Sequence, residues 1–143
     1  MRRPLETARR WLAEAEHSLT ITGVMFEGGF WAKVCFESEQ TSQLALKAFL
    51  YSKGRRTIPI HSIGDLIAEC GKEDQRFLEL RNRGIVLDKY YLSTRYPDAL
   101  PSPAIPYESF TEDEAVQALG IATDIVDSVK AMIPWEDSSS SGA

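Results

Sequence analysis

A chain of 143 residues with ordinary apolar and charged fractions is long enough for one domain with its own core and too apolar for wholesale disorder. Its formal net charge of -5 argues against a protein that coats nucleic acid by bulk electrostatics, although a local basic pocket is a separate matter. No apolar run reaches the length of a membrane span, and the basic start MRRPLETARRWLAEAEHSL has no apolar stretch of the secretory kind.

Pro4 suits the first turn of a helix, and Leu5, Ala8, Leu12, Ala15 and Leu19 recur at three- and four-residue spacing as one buried stripe. This predicts a first helix that fades between Thr20 and Gly23, before the break at Gly28 and Gly29. Its acids Glu6, Glu14 and Glu16 count against a transit peptide. A second helix is predicted from Phe30 to Ser52 and is ended by Gly54; Ala32, Ser38, Ser42, Ala45 and Ala48 let a neighbour approach closely, and Phe36, Leu44, Phe49 and Leu50 supply bulk. A short third helix follows His61 or Ser62, carries Ile63, Leu66 and Ile67, and stops at Gly71. A fourth is predicted over Asp74 to Thr94, with Gly84 marking a kink or break inside it.

The stretch TRYPDALPSPAIPYESF holds four prolines and reads as an ordered extended crossing. Thr111 and Glu114 then form a T-x-x-E capping box that opens the last helix, which Pro134 ends. No strand-like alternation persists. The expected fold is all-α, an antiparallel bundle of four to five helices over residues 1–134 with one long Pro-rich crossing before the last helix. A disordered Ser-rich tail is expected over 135–143.

Cys35 and Cys70 lack any CxxC spacing and lie in apolar helical patterns, which predicts buried free thiols suited to a reducing cytoplasm. With two histidines and no ligand spacing, no metal and no cofactor is expected.

The residues able to carry chemistry gather after the second helix. Arg55, Arg56 and His61 lie at a helix junction, two phosphate-binding cations beside a residue type that titrates near neutral pH. Such a cluster can bind a phosphate, cleave a phosphodiester or only shape a loop. RNA cleaves itself when its 2′-hydroxyl attacks the adjacent phosphorus; a histidine can remove that proton or protonate the leaving oxygen, and an arginine can hold the phosphate oxygens. Alternatively, His61 caps free backbone groups at a helix start. Gln40, Gln43 and Lys47 share one face of the second helix, either a polar groove toward a partner or nucleotide, or a solvated face. Arg95, Tyr96 and Asp98 either grip a nucleotide or pin the crossing, with Asp98 holding Arg95 and Tyr96 packed beneath. His17 and the basic run Arg76, Arg81 and Arg83 read as solvated surface.

Four pieces in order, WLAEAEHSL, CFESEQTSQLALKAFL, HSIGDLI and YYLSTRYPDALP, resemble the HEPN family (higher eukaryotes and prokaryotes nucleotide-binding domain) across nearly the whole chain apart from the tail. The resemblance implies a homodimer, often encoded beside a small nucleotidyltransferase, and the cysteine usage and lack of a membrane or secretory segment lead us to expect it in the cytoplasm. Many members are metal-independent endoribonucleases acting as toxins or defence effectors, with an arginine followed after four to six residues by a histidine. Arg56 and His61 fit that motif with four intervening residues and Arg55 with five, which makes Arg56 and His61 the implied catalytic pair. Arg55, Lys47, Arg95 and Tyr96 are the implied phosphate- or nucleotide-binding residues. Thr57 stands where active members carry Asn, Asp or His, Gln43 where relatives often carry glutamate, and Pro59 keeps Arg56 and His61 off one continuous helix. The alternative is a non-catalytic nucleotide- or RNA-binding module acting with a separately encoded nucleotidyltransferase; a pure scaffold is the third class.

Overall fold

Pro4 opens α1 (Pro4–Glu27) in the computed structural model, which describes residues 3–136. The helix does not fade at Thr20 as its β-branched run suggests. Thr22 is fully buried and its hydroxyl donates to the Ser18 carbonyl at 2.7 Å, while the Ser18 and Thr41 hydroxyls meet at 2.6 Å across the neighbouring helix. Packing therefore overrides weak local propensity for another turn and a half. Gly28 and Gly29 close α1, and Gly29 takes a φ of 77°, a left-handed conformation that side chains resist.

The three-residue link returns the chain as α2 (Trp31–Ser52), antiparallel to α1. This helix is the bundle's centre, packed by α1, by α3 (Ile63–Glu73) and by α6 (Glu112–Met132). Ala32, Ala45 and Ala48 on α2, Ala8 and Ala15 on α1, and Ala115, Ala118 and Ala122 on α6 are all buried, small side chains that let packed helices come close. Phe49 and Phe77 fill the lower core with ring centroids 4.4 Å apart. Each such fully buried large side chain contributes roughly 1.5–3 kcal/mol. Gly54, at a φ of 90°, turns the chain out of α2.

A continuous fourth helix over 74–94 does not form. The segment is a 3₁₀ turn (Gln75–Leu80), one turn of α-helix α4 (Arg81–Gly84), a second 3₁₀ turn (Ile85–Lys89) and another helical turn, α5 (Tyr90–Ser93). It bends because it wraps across α3: a methyl group added to Gly84 would overlap Ile67 and crowd Ile63 at 3.2 Å. The crossing contains only two short 3₁₀ turns, Pro97–Ala99 and Pro106–Glu108. The capping box at Thr111 and Glu114 is complete, each side chain accepting from the other's backbone N–H at 3.1 Å. Of the expected tail, 137–143 lies outside the described residues, whereas Trp135 docks on the bundle, donating from Nε1 to the Lys130 carbonyl at 2.8 Å under the Arg9 guanidinium.

Candidate phosphate-binding site

Because α2 is covered on most sides, several of its polar residues are buried too. Glu39, Gln43 and Lys47 follow one another at four-residue intervals and are 1%, 8% and 8% exposed, so the solvated-face reading of Gln43 and Lys47 is wrong. The Gln43 amide donates to the Glu39 carboxylate, and Gln40 donates to both its oxygens at 3.0 and 3.1 Å. Desolvation raises the Glu39 carboxyl above the usual carboxylate range, against the two amides, with Asp88 adding to the rise and Arg95 opposing it. Desolvation also lowers the Lys47 ammonium from its ordinary value, and the charge of Glu39 resists that fall. The charge of Glu39 is thus coupled to two cations that belong to separate clusters in the sequence.

Lys47 ends the row at the irregular segment 55–62, where its Nζ lies 3.2 Å from His61 Nδ1. A charged Lys47 has hydrogens and no lone pair, so in this pairing Nδ1 accepts and Nε2 carries the ring proton. His61 is exposed. The segment is fastened behind it by Asp88, whose carboxylate accepts from Ile63 N at 2.6 Å, Gly64 N at 3.1 Å and Ser62 Oγ at 3.0 Å. Ser62, not His61, caps α3, accepting from Asp65 N at 3.3 Å. Asp88 fills the role of a second cap, and its charge opposes the positive end of the helix dipole.

The two arginines part company. Arg55 reaches back to Glu69 at 3.1 Å and Glu73 at 4.0 Å on α3. Arg56 is exposed and enters no ion pair among the described residues. The hydrogen-bond partner of His61 is Lys47, not Arg56. Arg95 donates from Nε and a terminal nitrogen to the Tyr91 carbonyl at 3.0 and 2.7 Å, and its guanidinium lies 4.3 Å from the Phe36 ring and 4.9 Å from both Tyr91 and Tyr96. Asp98 does not hold it: Asp98 is exposed and unpaired among the described residues, and Tyr96 is half-exposed rather than packed beneath the crossing.

The structure therefore joins Lys47 to His61 directly, links Lys47 to Arg95 through the field of Glu39, and turns Arg55 away. Glu39 and Asp88 escaped the sequence reading. Glu39 could have been found from its position one turn before Gln43 and two before Lys47; nothing local marks Asp88, which acts across a separation of 25 residues.

An all-α antiparallel bundle whose central helix carries a buried acid–amide–lysine row opening at a loop histidine defines the class of protein. The chain belongs to the HEPN domain family, whose model matches residues 8–132. It is similar in structure to the protein TT1696 of Thermus thermophilus, with a TM-score of 0.80 and 35% identity over 87% of this chain and 96% of that one. It is also similar to ST0689, an archaeal HEPN homologue, with a TM-score of 0.72 and 29% identity over 93% of this chain and 99% of that one. In sequence it is 32% identical over 131 residues to human sacsin, a match that takes in 86% of this chain and 3% of sacsin's length. No helix among the described residues is long and apolar enough to cross a membrane.

Proposed function

We propose that this chain is a nucleotide- or RNA-binding module whose phosphate grip lies where α2 meets the segment 55–62. The contact of Lys47 with His61 carries the reading. It holds the exposed ring in the tautomer that presents an Nε2–H donor, with a cation behind it, and Arg56 on the same segment has its fork of donors free. Arg95 and Tyr96 extend the site beyond Glu39 as an aromatic-lined wall on which a base can stack. The resemblance adds a homodimer and a separately encoded nucleotidyltransferase as the setting in which the module works.

The test is equilibrium binding of ATP and of a short single-stranded RNA to the wild type, His61→Ala, Lys47→Met and Arg56→Ala. Loss of about tenfold or more in each variant, with the helical signature intact, supports the reading; unchanged affinity in His61→Ala, or no binding by the wild type, sinks it.

A second reading, a metal-independent endoribonuclease of the toxin or defence type, is favoured by the free side chains of Arg56 and His61 on one short segment. As general base, His61 would need Nε2 unprotonated, and so the ring released from Lys47. Cleavage of structured RNA in excess EDTA by the wild type, lost in His61→Ala and Arg56→Ala, would move the assignment to this reading.

A further inference from the structure

One face of α2 joins the two ends of the candidate site. Phe36, Gln40, Gln43 and Lys47 follow at spacings of four, three and four, which keeps them within about 60° of one another around the helix. At the Phe36 end the Arg95 guanidinium lies 4.3 Å from the ring, and Tyr96 stacks against the same guanidinium; at the other end Lys47 meets His61. The two ends stand about 16 Å apart along the helix axis. Gln40 and Gln43 occupy the middle, between the aromatic wall and the phosphate grip.

Both amides are anchored by their nitrogens. Gln40 Nε2 donates to the two Glu39 oxygens at 3.1 and 3.0 Å, and Gln43 Nε2 donates to the same pair. A carboxylate only accepts, so each amide must turn its NH₂ toward Glu39 and its carbonyl oxygen elsewhere. Neither carbonyl oxygen enters a hydrogen bond among the described residues. The buried side-chain polar atoms left without a partner there are Ser38 Oγ and Tyr90 OH, so both amide oxygens reach solvent. Glu39 itself is covered and touches no ligand. The middle of the face thus presents two carbonyl acceptors, pinned from beneath by one carboxylate.

A base that pairs with two acceptors needs two adjacent donors. Among the RNA bases guanine alone carries them on its Watson–Crick edge, as N1–H and the N2 amine. Adenine, cytosine and uracil each set a single donor beside an acceptor there. Placing an acceptor against an acceptor desolvates both and pairs neither, which penalises those three.

We propose that Gln40 and Gln43 are the base-reading residues of this site and that the nucleotide they select carries guanine, its N1–H and N2 amine donating to the two carbonyls. The inference rests on the phosphate grip at Lys47 and His61, which holds any nucleotide and leaves the base unspecified.

Equilibrium titration with GTP, ITP, ATP and UTP separates grip from base reading. The triphosphate is constant across the four, and ITP lacks only the N2 amine of GTP. GTP should bind roughly tenfold or more tighter than each of the others. His61→Ala should weaken all four in parallel, whereas Gln40→Leu should bind GTP and ITP alike. Equal affinity of the wild type for all four, or a preference for ATP or UTP, overturns the base reading and leaves the grip standing. A Gln40→Leu variant that keeps the GTP preference overturns it as well. So does a folded Gln40→Leu variant that binds none of the four, because Gln40 would then build the grip instead of reading the base. A wild type that binds no triphosphate removes the grip itself, and the base reading falls with it.

Discussion

Lys47 Nζ stands 3.2 Å from His61 Nδ1, so a cation held in the wall of the bundle orients the ring of a loop residue fourteen positions further on. The pairing has a spectroscopic consequence. In neutral His61 the proton belongs on Nε2, and the two ring nitrogens should separate widely in ¹⁵N shift. Lys47→Met removes the donor, and the His61 shifts should move toward the average of a mixed population of tautomers. An unchanged pattern in that variant would show that Lys47 does not set the ring.

Arg55 and Arg56 are adjacent in sequence and opposite in circumstance. Arg55 is engaged by Glu69 and Glu73, with its side chain 34% exposed, so Arg55→Ala should cost about 1 kcal/mol or less in stability. Its effect on phosphate binding should be small. Arg56→Ala should leave stability within about 0.5 kcal/mol and weaken nucleotide or RNA binding by about tenfold or more. Urea unfolding and binding titrations on the two variants check the contrast, and equal binding losses would refute it.

Asp88 is the fastening between the segment 85–89 and the start of α3. Asp88→Ala strands three donors, two of them backbone N–H groups at a helix end, and should destabilise the fold by about 2–3 kcal/mol. Asp88→Asn retains an acceptor but not the charge, and should lose about 1 kcal/mol. Denaturant midpoints of both variants give the comparison; an alanine variant as stable as the wild type would mean that water or another side chain replaces the carboxylate at no cost.

The helices with a continuous apolar stripe were legible. Trp31–Ser52 and the capped helix after Thr111 formed close to the predicted limits, because local spacing and tertiary packing agree there. Two elements went otherwise for opposite reasons. Thr20 to Glu27 looked weak and is held helical by its neighbour, whereas 74–94 looked like one helix and is broken by the need to cross α3. For the candidate site the sequence offers Lys47, Arg55, Arg56, His61, Arg95 and Tyr96 as residue types, but not their pairings. Arg56 and His61 form a sequence pattern, yet the bond that His61 makes comes from α2, and only the folded bundle brings Lys47 to it.

Gly84 tests the account of the broken segment. A side-chain methyl there would overlap Cδ1 of Ile67 on α3, a fully buried side chain whose end must shift within the core to make room. Although alanine favours helix, Gly84→Ala should destabilise by about 1–3 kcal/mol through overpacking. Gly23 sits inside α1 with open space where a methyl group would stand, so Gly23→Ala should stabilise by up to about 1 kcal/mol. Thermal unfolding of the pair should therefore shift in opposite directions, and a Gly84→Ala variant that gains stability would remove steric closeness as the cause of the break.

Glu39 gives the fold a pH signature of definite sign. Burial raises its folded carboxyl above the ordinary 4.5, so over the interval from 4.5 up to that raised value the folded state keeps a proton that the unfolded chain has released. The stability that Glu39 contributes falls as pH rises through that interval and stays at the lower level above it. Glu39→Gln has no proton to lose, so its stability relative to the wild type should increase as pH rises from 4.5 toward neutrality, whatever the other carboxylates do in common. The same variant removes a negative charge coupled to Lys47 and Arg95 and should tighten the binding of a phosphate anion. Urea midpoints of both proteins across that range read the first effect. A difference that shrinks with rising pH would mean that the Gln43 and Gln40 amides and the charge of Arg95, rather than burial, govern the carboxylate.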